Sequence, residues 1–268
     1  MVSSPTNTMD LKQQNWHNLC ANHLRDWHGI WTRYGPQGEV TEFFHSLRSF
    51  RSNPEQTEIT QTNRYTYPDG TTEEKIWQFN KQSHNLADGL FHPAVPSMRA
   101  CFFEQGAAAW AAKQFEPGSV FQPAEFFFRH EGLRHSAPVI YDGSGSLKRT
   151  VSIREDAAGF PSEYWSTELN LLPERNFSGS WQGTSVTMTP DLKVSPLEPT
   201  QFHWGWEVNK TFFFPDGISV SCPSLVSIGN NFTIAANWLV TSSQLQQLII
   251  SYDELGAFSK LTFEQFRL

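Results

Sequence analysis

The chain has 268 residues, a formal net charge of -7 and no basic run, which excludes the clustered Lys and Arg of a nucleic-acid surface. No apolar span approaches membrane length, and Met1 to Asp10 lacks the apolar core of a signal peptide, so a soluble, cytoplasmic protein is expected. Cys20, Cys101 and Cys222 are widely spaced and odd in number, which fits reduced thiols rather than a disulfide framework or a metal site.

In chain order, Asp10 to Trp27 reads as a helix, because Trp16, Leu19, Cys20, His23 and Leu24 share an apolar stripe. After Gly29 the period becomes 2. Thr41 to Ser52, Thr57 to Tyr67 and Thr71 to Phe79 are long strands joined by Asn53-Pro54 and Pro68-Asp69-Gly70 turns. Asn80 to Pro96 reads as a loop over one mouth of a barrel. Strands follow at Met98 to Glu104, Ala107 to Lys113, Ala124 to Glu131, Arg134 to Tyr141 and Leu147 to Arg154. Asp156 to Pro161 is a linker, and about eight more strands, the first at Glu163 to Leu171, fill the second half.

Three landmarks recur in order. Trp27-His28-Gly29-Ile30-Trp31 returns as Phe177-Ser178-Gly179-Ser180-Trp181. Tyr65-Thr66-Tyr67-Pro68-Asp69-Gly70 returns as Phe212-Phe213-Phe214-Pro215-Asp216-Gly217, and Tyr141-Asp142 with Gly145 as Tyr252-Asp253 with Gly256. The expectation is an all-β protein of two antiparallel barrels from an internal duplication: residues 1–158 with the helix, and a shorter unit at 159–268.

The Trp27-x-Gly29-x-Trp31 pattern in the first strand of an up-and-down barrel, preceded by a helix, resembles the calycin superfamily of lipocalins and fatty-acid-binding proteins. Length, duplication and texture resemble an uncharacterised cyanobacterial and plastid-lineage family of double calycin barrels. The resemblance implies that the Trp of the motif packs against a cation of the last strand. It therefore assigns structural closure to Gly29, Trp31 and Arg149 in the first barrel, and to Gly179, Trp181 and Arg267 in the second, with Arg154 and Lys260 as the other candidates. It also brings in the cyanobacterial bilin lyases, single barrels that deliver a tetrapyrrole to a protein partner.

Chemistry is sparse. His130 to His135 lacks the second His of a zincin, and there is no nucleophile elbow, phosphate loop or dinucleotide fingerprint, so no catalytic residue and no metal site is assigned. No cofactor is specified. Period 2 places Arg129 with Glu125 and Phe127, opposite Phe126 and Phe128. An inward Arg129 would be a buried cation in need of an anion, and an outward one an ordinary surface residue. Arg64, Arg99 and Arg134 pose the same question. Trp77, Trp110, Trp206 and Trp238 are either cavity walls or core filler. The functional expectation is non-catalytic binding of a small hydrophobic or amphipathic molecule: a pigment, tetrapyrrole or acyl chain. The competing readings are a bilin-lyase-like assembly factor acting on a protein partner, or an interaction module with filled barrels.

Overall fold

The structure, a computed structural model, describes residues 10–116, 118–119, 122–204 and 208–268. Among them the period-2 sequence forms eighteen strands, with one helix, α1 (Leu11–His23). The helix stops short of Trp27 because that residue belongs to the first strand, where its indole N–H donates to the His23 carbonyl at 3.1 Å.

The first sheet contains β1 (Asp26–Tyr34), β2 (Val40–Ser52), β3 (Glu58–Thr66), β4 (Thr72–Asn80), β5 (Asn85–Leu86) and β6 (Gly89–His92). It continues with β7 (Val95–Phe102), β8 (Ala108–Ala112), β9 (Gln122–His130), β10 (Leu133–Tyr141) and β11 (Leu147–Asp156). The second holds β12 (Gln182–Met188), β13 (Glu198–Gln201), β14 (Asn209–Phe213), β15 (Ile218–Pro223), β16 (Phe232–Thr241), β17 (Gln244–Tyr252) and β18 (Phe258–Arg267). The expected loop at 80–96 thus carries two short strands, and 163–171, expected as a strand, is an irregular strap between the sheets. Its polar groups bond singly instead of in a ladder: the Arg154 guanidinium donates to the Ser166 and Glu168 carbonyls, and the Tyr34 hydroxyl to the Leu169 carbonyl.

Both sheets are antiparallel, and in each the first strand pairs with the last, β1 with β11 and β12 with β18. The first sheet runs β4-β3-β2-β1-β11-β10-β9-β8-β7-β6-β5 and curls into a nearly closed barrel; the second runs β13-β12-β18-β17-β16-β15-β14. The duplication is therefore visible in the topology, but two landmarks pair differently from their sequence alignment. Trp27-x-Gly29 corresponds to Trp181-x-Gly183, not to Phe177-x-Gly179: both indoles donate to the carbonyl four residues back. Likewise the Phe213 to Gly217 turn joins β14 to β15, the counterparts of β7 and β8, so its equivalent is Phe102 to Gly106. The second unit lacks counterparts of β3 to β6. The Tyr141-Asp142 and Tyr252-Asp253 turns do correspond, each closed by a Gly N–H donating to the Asp carbonyl.

Gly29 and Gly183 occupy matching close approaches. A Cβ at Gly29 would stand 2.2 Å from the Arg154 carbonyl oxygen, and one at Gly183 would stand 2.1 Å from that of Gln265. Because backbone cannot yield, Gly29→Ala and Gly183→Ala are each expected to lower unfolding free energy by roughly 1–3 kcal/mol or more in chemical denaturation. Gly132→Ala, which meets nothing within 4 Å, should leave it unchanged. Equal denaturation midpoints for all three variants would refute this.

The sheets pack back to back through their outer faces around one shared core. Phe103 stacks on Phe263 at 5.7 Å, Tyr34 on Phe214 at 4.9 Å and Trp165 on Trp238 at 5.5 Å. Buried Arg154 ties the units by an ion pair to Asp216 at 2.8 Å. Consequently the inner faces point away from each other.

Candidate functional site

The interior of the first barrel is hollow. Its cavity of 380 Å³ is walled by Trp31, Trp77, Phe79, Trp110 and Phe127 and floored by Leu19 and His23 of α1. The helix is held there by side-chain amides acting as a strand edge: Asn15 exchanges bonds with the Ala100 carbonyl and Phe102 N–H, and Asn18 donates to the Phe102 carbonyl. The end strands β4 and β5 are not paired with each other, and rings fill the seam. His92 lies 5.4 Å from Trp77, 5.8 Å from Phe79 and 5.3 Å from Trp110. Burial pushes its pKa down to about 4, so it is neutral near pH 7.

Register arranges the inward side chains in tiers. Farthest from α1 lie Arg149, Ile140 and Pro123; one tier deeper come Pro138, Glu125 and Trp110; then Ile153, Ser136 and Phe127; and nearest the helix Glu155, Arg134 and Arg129. The deepest tier is a buried ion cluster. Glu155, fully buried, accepts from Arg48 Nε at 2.5 Å and Nη2 at 2.6 Å, and from Arg134 Nε at 2.6 Å and Nη2 at 3.0 Å. Burial opposes its ionisation, but the Arg134 and Arg48 charges prevail and hold its pKa below the usual range. Ser136 accepts from Arg48 Nη2 at 2.7 Å. Glu125 sits higher, 3.6 Å from Arg48 Nη1; its Oε1 is buried without a hydrogen bond, and burial raises its pKa.

The second unit replaces this chemistry. Its floor is apolar, Trp181, Leu245 and Phe266, and Phe266 and Leu245 stand where the first has Glu155 and Arg134. Its inner face carries buried Ser219, Ser221, Asn237 and Gln247 instead of aromatic walls.

Of the residues singled out from sequence, Arg134, Trp77, Trp110, Trp31 and Arg149 line the cavity. Arg129 points inward below it, its guanidinium 4.7 Å over Trp27. Arg64 is exposed and paired with Glu74; Arg99 faces outward to Asp88 at 2.8 Å. Trp238 belongs to the shared core, and Trp206 lies outside the described residues. Gly29 packs on β11; Gly179 lies before β12 against Leu268, Trp181 on the second floor, and Arg267 is exposed at a strand end. The expected closure is corrected in its partners: Trp27 lies under Arg134 at 4.4 Å, and Trp31, stacked on Phe44 at 5.4 Å, lies under Arg48 of β2 at 5.4 Å rather than under Arg149 of the last strand. Sequence reasoning missed Arg48 and Glu155, whose partnership spans 107 residues, and treated Glu125 only as a marker of its face.

Among the described residues no cluster of three or more His, Cys, Asp or Glu could hold a metal. The buried thiols are inert: burial raises Cys20 to about 11 and Cys101 and Cys222 to about 12. No described helix is long and apolar enough to cross a membrane.

Residues 12–160, more than half of the chain, match a family model described as a domain of unknown function (DUF3598), N-terminal. Residues 198–265 match the C-terminal domain of a biogenesis factor required for ATP synthase 1. A search of curated proteins finds no match. A solved structure of a DUF3598-family protein of unknown function from Nostoc punctiforme is similar in fold, with a TM-score of 0.74 at 20% identity over 94% of this chain and 98% of that one.

Proposed function

The chain belongs to the DUF3598 family, described as of unknown function, and we propose that its first barrel binds a small apolar or amphipathic molecule without transforming it. The observation that carries this reading is the 380 Å³ cavity, which persists although the chain has aromatic side chains enough to fill it. Such a volume is in the range of small-molecule sites, and aromatic and aliphatic walls that converge with charged side chains such as Arg149 and Glu125 suit an amphipathic molecule. A pigment, tetrapyrrole or acyl chain suits the shape. The helix-capped barrel, with first strand against last, supports a calycin-like kinship.

The test is uptake of the neutral fluorophore N-phenyl-1-naphthylamine, together with mass spectrometry of extracts from protein purified out of a pigment-containing host. Wild-type protein should take up the probe, and Val151→Trp, which fills the cavity, should abolish uptake. Absence of uptake by the wild type, or uptake indifferent to Val151→Trp, would sink the reading.

A second reading rests on the match of residues 198–265 to a biogenesis factor's C-terminal domain: an assembly factor acting on a protein partner. Saturable binding of purified ATP synthase subunits by the ligand-free protein would favour it. Subunits that show no binding would remove it.

A further inference from the structure

Among the described charged side chains that line the cavity, one cation has no carboxylate partner and one carboxylate keeps an oxygen without a hydrogen bond; Arg129, which also has buried N–H groups without a hydrogen bond, lies beneath the cavity and does not line it. Arg48 and Arg134 share Glu155, Arg33 pairs with Glu42, and Lys75 pairs with Glu73 at 3.1 Å. Arg149 has a buried Nε with no hydrogen-bond partner, and Glu125 has a buried Oε1 with none; both side chains line the cavity. Leaving a buried polar atom unsatisfied is costly, and a charged one more so, so such atoms at a cavity wall mark where a ligand's polar atoms belong.

Resting on the reading that this cavity takes a small molecule, we infer that it is a two-point site for an anionic amphiphile, Arg149 holding the anionic group near the mouth and Glu125 accepting from a hydrogen-bond donor deeper in. Arg149 and Glu125 stand two strands and one tier apart, which places their backbones about 10 Å apart across the sheet and about 7 Å along it. A ligand spanning them meets Trp110, the cross-strand neighbour of Glu125, and has Trp31 on the adjoining wall of the same cavity. The flat, electron-rich faces of these rings favour a planar aromatic or conjugated body over a saturated chain. Balance of charge agrees: Arg48 and Arg134 are neutralised by Glu155 and Glu125, whereas Arg149, alone among the described arginines and lysines lining the cavity, has no carboxylate at ion-pair distance.

The test compares two probes that share a body and an N–H donor. 1-Anilinonaphthalene-8-sulfonate carries an anion, and N-phenyl-1-naphthylamine does not. Arg149→Leu should weaken the sulfonate probe about tenfold to a hundredfold, the equivalent of one charge-assisted hydrogen bond, and leave the neutral probe unchanged. Arg149→Lys should restore most of the sulfonate affinity. Glu125→Leu should weaken both probes. Arg149 Nε has no partner to lose, so Arg149→Leu without probe should melt with the wild type; Glu125→Leu removes the carboxylate 3.6 Å from Arg48 and is therefore read beside the isosteric Glu125→Gln, as is Arg149→Gln for any Arg149 variant that melts early. Equal affinities for the sulfonate probe in wild type and Arg149→Leu, or equal losses for both probes, would overturn the anion site while neutral uptake kept the cavity reading intact. Failure of the wild type to take up either probe would overturn both.

Discussion

Glu155→Gln is expected to lower the melting temperature by on the order of 10 °C, the largest effect of any isosteric change in the chain. Glutamine preserves the shape but removes the charge that two arginines share. Arg48 and Arg134 are 3% and 1% exposed, so neither can turn to water when the carboxylate is gone. Breaking a buried ion pair from one side costs roughly 3–5 kcal/mol, because the remaining charge stays desolvated. Here two charges remain, with only Glu125 near Arg48 to answer them. In a protein of this size each kcal/mol moves the melting point by about 2–4 °C. The second unit supplies the control: Phe266 and Leu245 show that an apolar floor suits the same topology. Glu155→Phe with Arg134→Leu and Arg48→Met should therefore regain much of what Glu155→Gln loses. Calorimetry decides the matter: a Glu155→Gln protein that melts with its parent would mean the cluster is solvated, contrary to its burial.

Acid should destabilise the fold well before its ordinary carboxylates titrate. His23 and His135 are buried and His92 is half-buried among rings; desolvation lowers all three pKa values, His92 to about 4 and the others well below the usual value, and at His23 and His135 neighbouring arginines push the same way. The unfolded chain binds protons at these histidines near pH 6.5, whereas the folded chain does not until lower pH. Stability is therefore fully present above about pH 6.5 and falls as pH drops from there toward 4. For His92 alone the loss reaches roughly 3 kcal/mol once pH is below its folded pKa. Glu125 acts in the opposite sense, since its raised pKa lets the folded state take up a proton first, and it offsets part of the loss. Urea midpoints measured from pH 7 to pH 4 should fall steeply in the wild type, and less in His92→Gln. A flat profile in both would show that the rings are not held neutral.

Local chemistry wrote much of the fold into the chain. Alternation marked β2, β3, β4, β9, β10 and β11, because a half-buried strand must present every second residue to the core. The Tyr-Asp turns announced the duplication, because an Asp carboxylate bonding the next backbone N–H groups is a short-range device that survives copying: Asp142 accepts from Ser144 and Ser146 as Asp253 does from Leu255 and Ala257. Degenerate signals misled. Two Pro-Asp-Gly turns share chemistry, yet one joins β3 to β4 and the other joins the counterparts of β7 and β8. Gly-x-Trp fits either of two tryptophans around one glycine, and only packing of Gly29 on the Arg154 carbonyl selects Trp27 as the buried one.

By itself, then, the sequence determined the all-β class, the repeat, and the face on which Arg129 and Glu125 lie, all of which follow from neighbours within a few residues. Tertiary structure alone decided that Arg64 and Arg99 face outward to carboxylates, that Arg134 is bound by Glu155, and that Arg149 has no such partner. The reason is physical: an arginine's role depends on which anion and how much water surround it, and both are set by strands far apart in the chain.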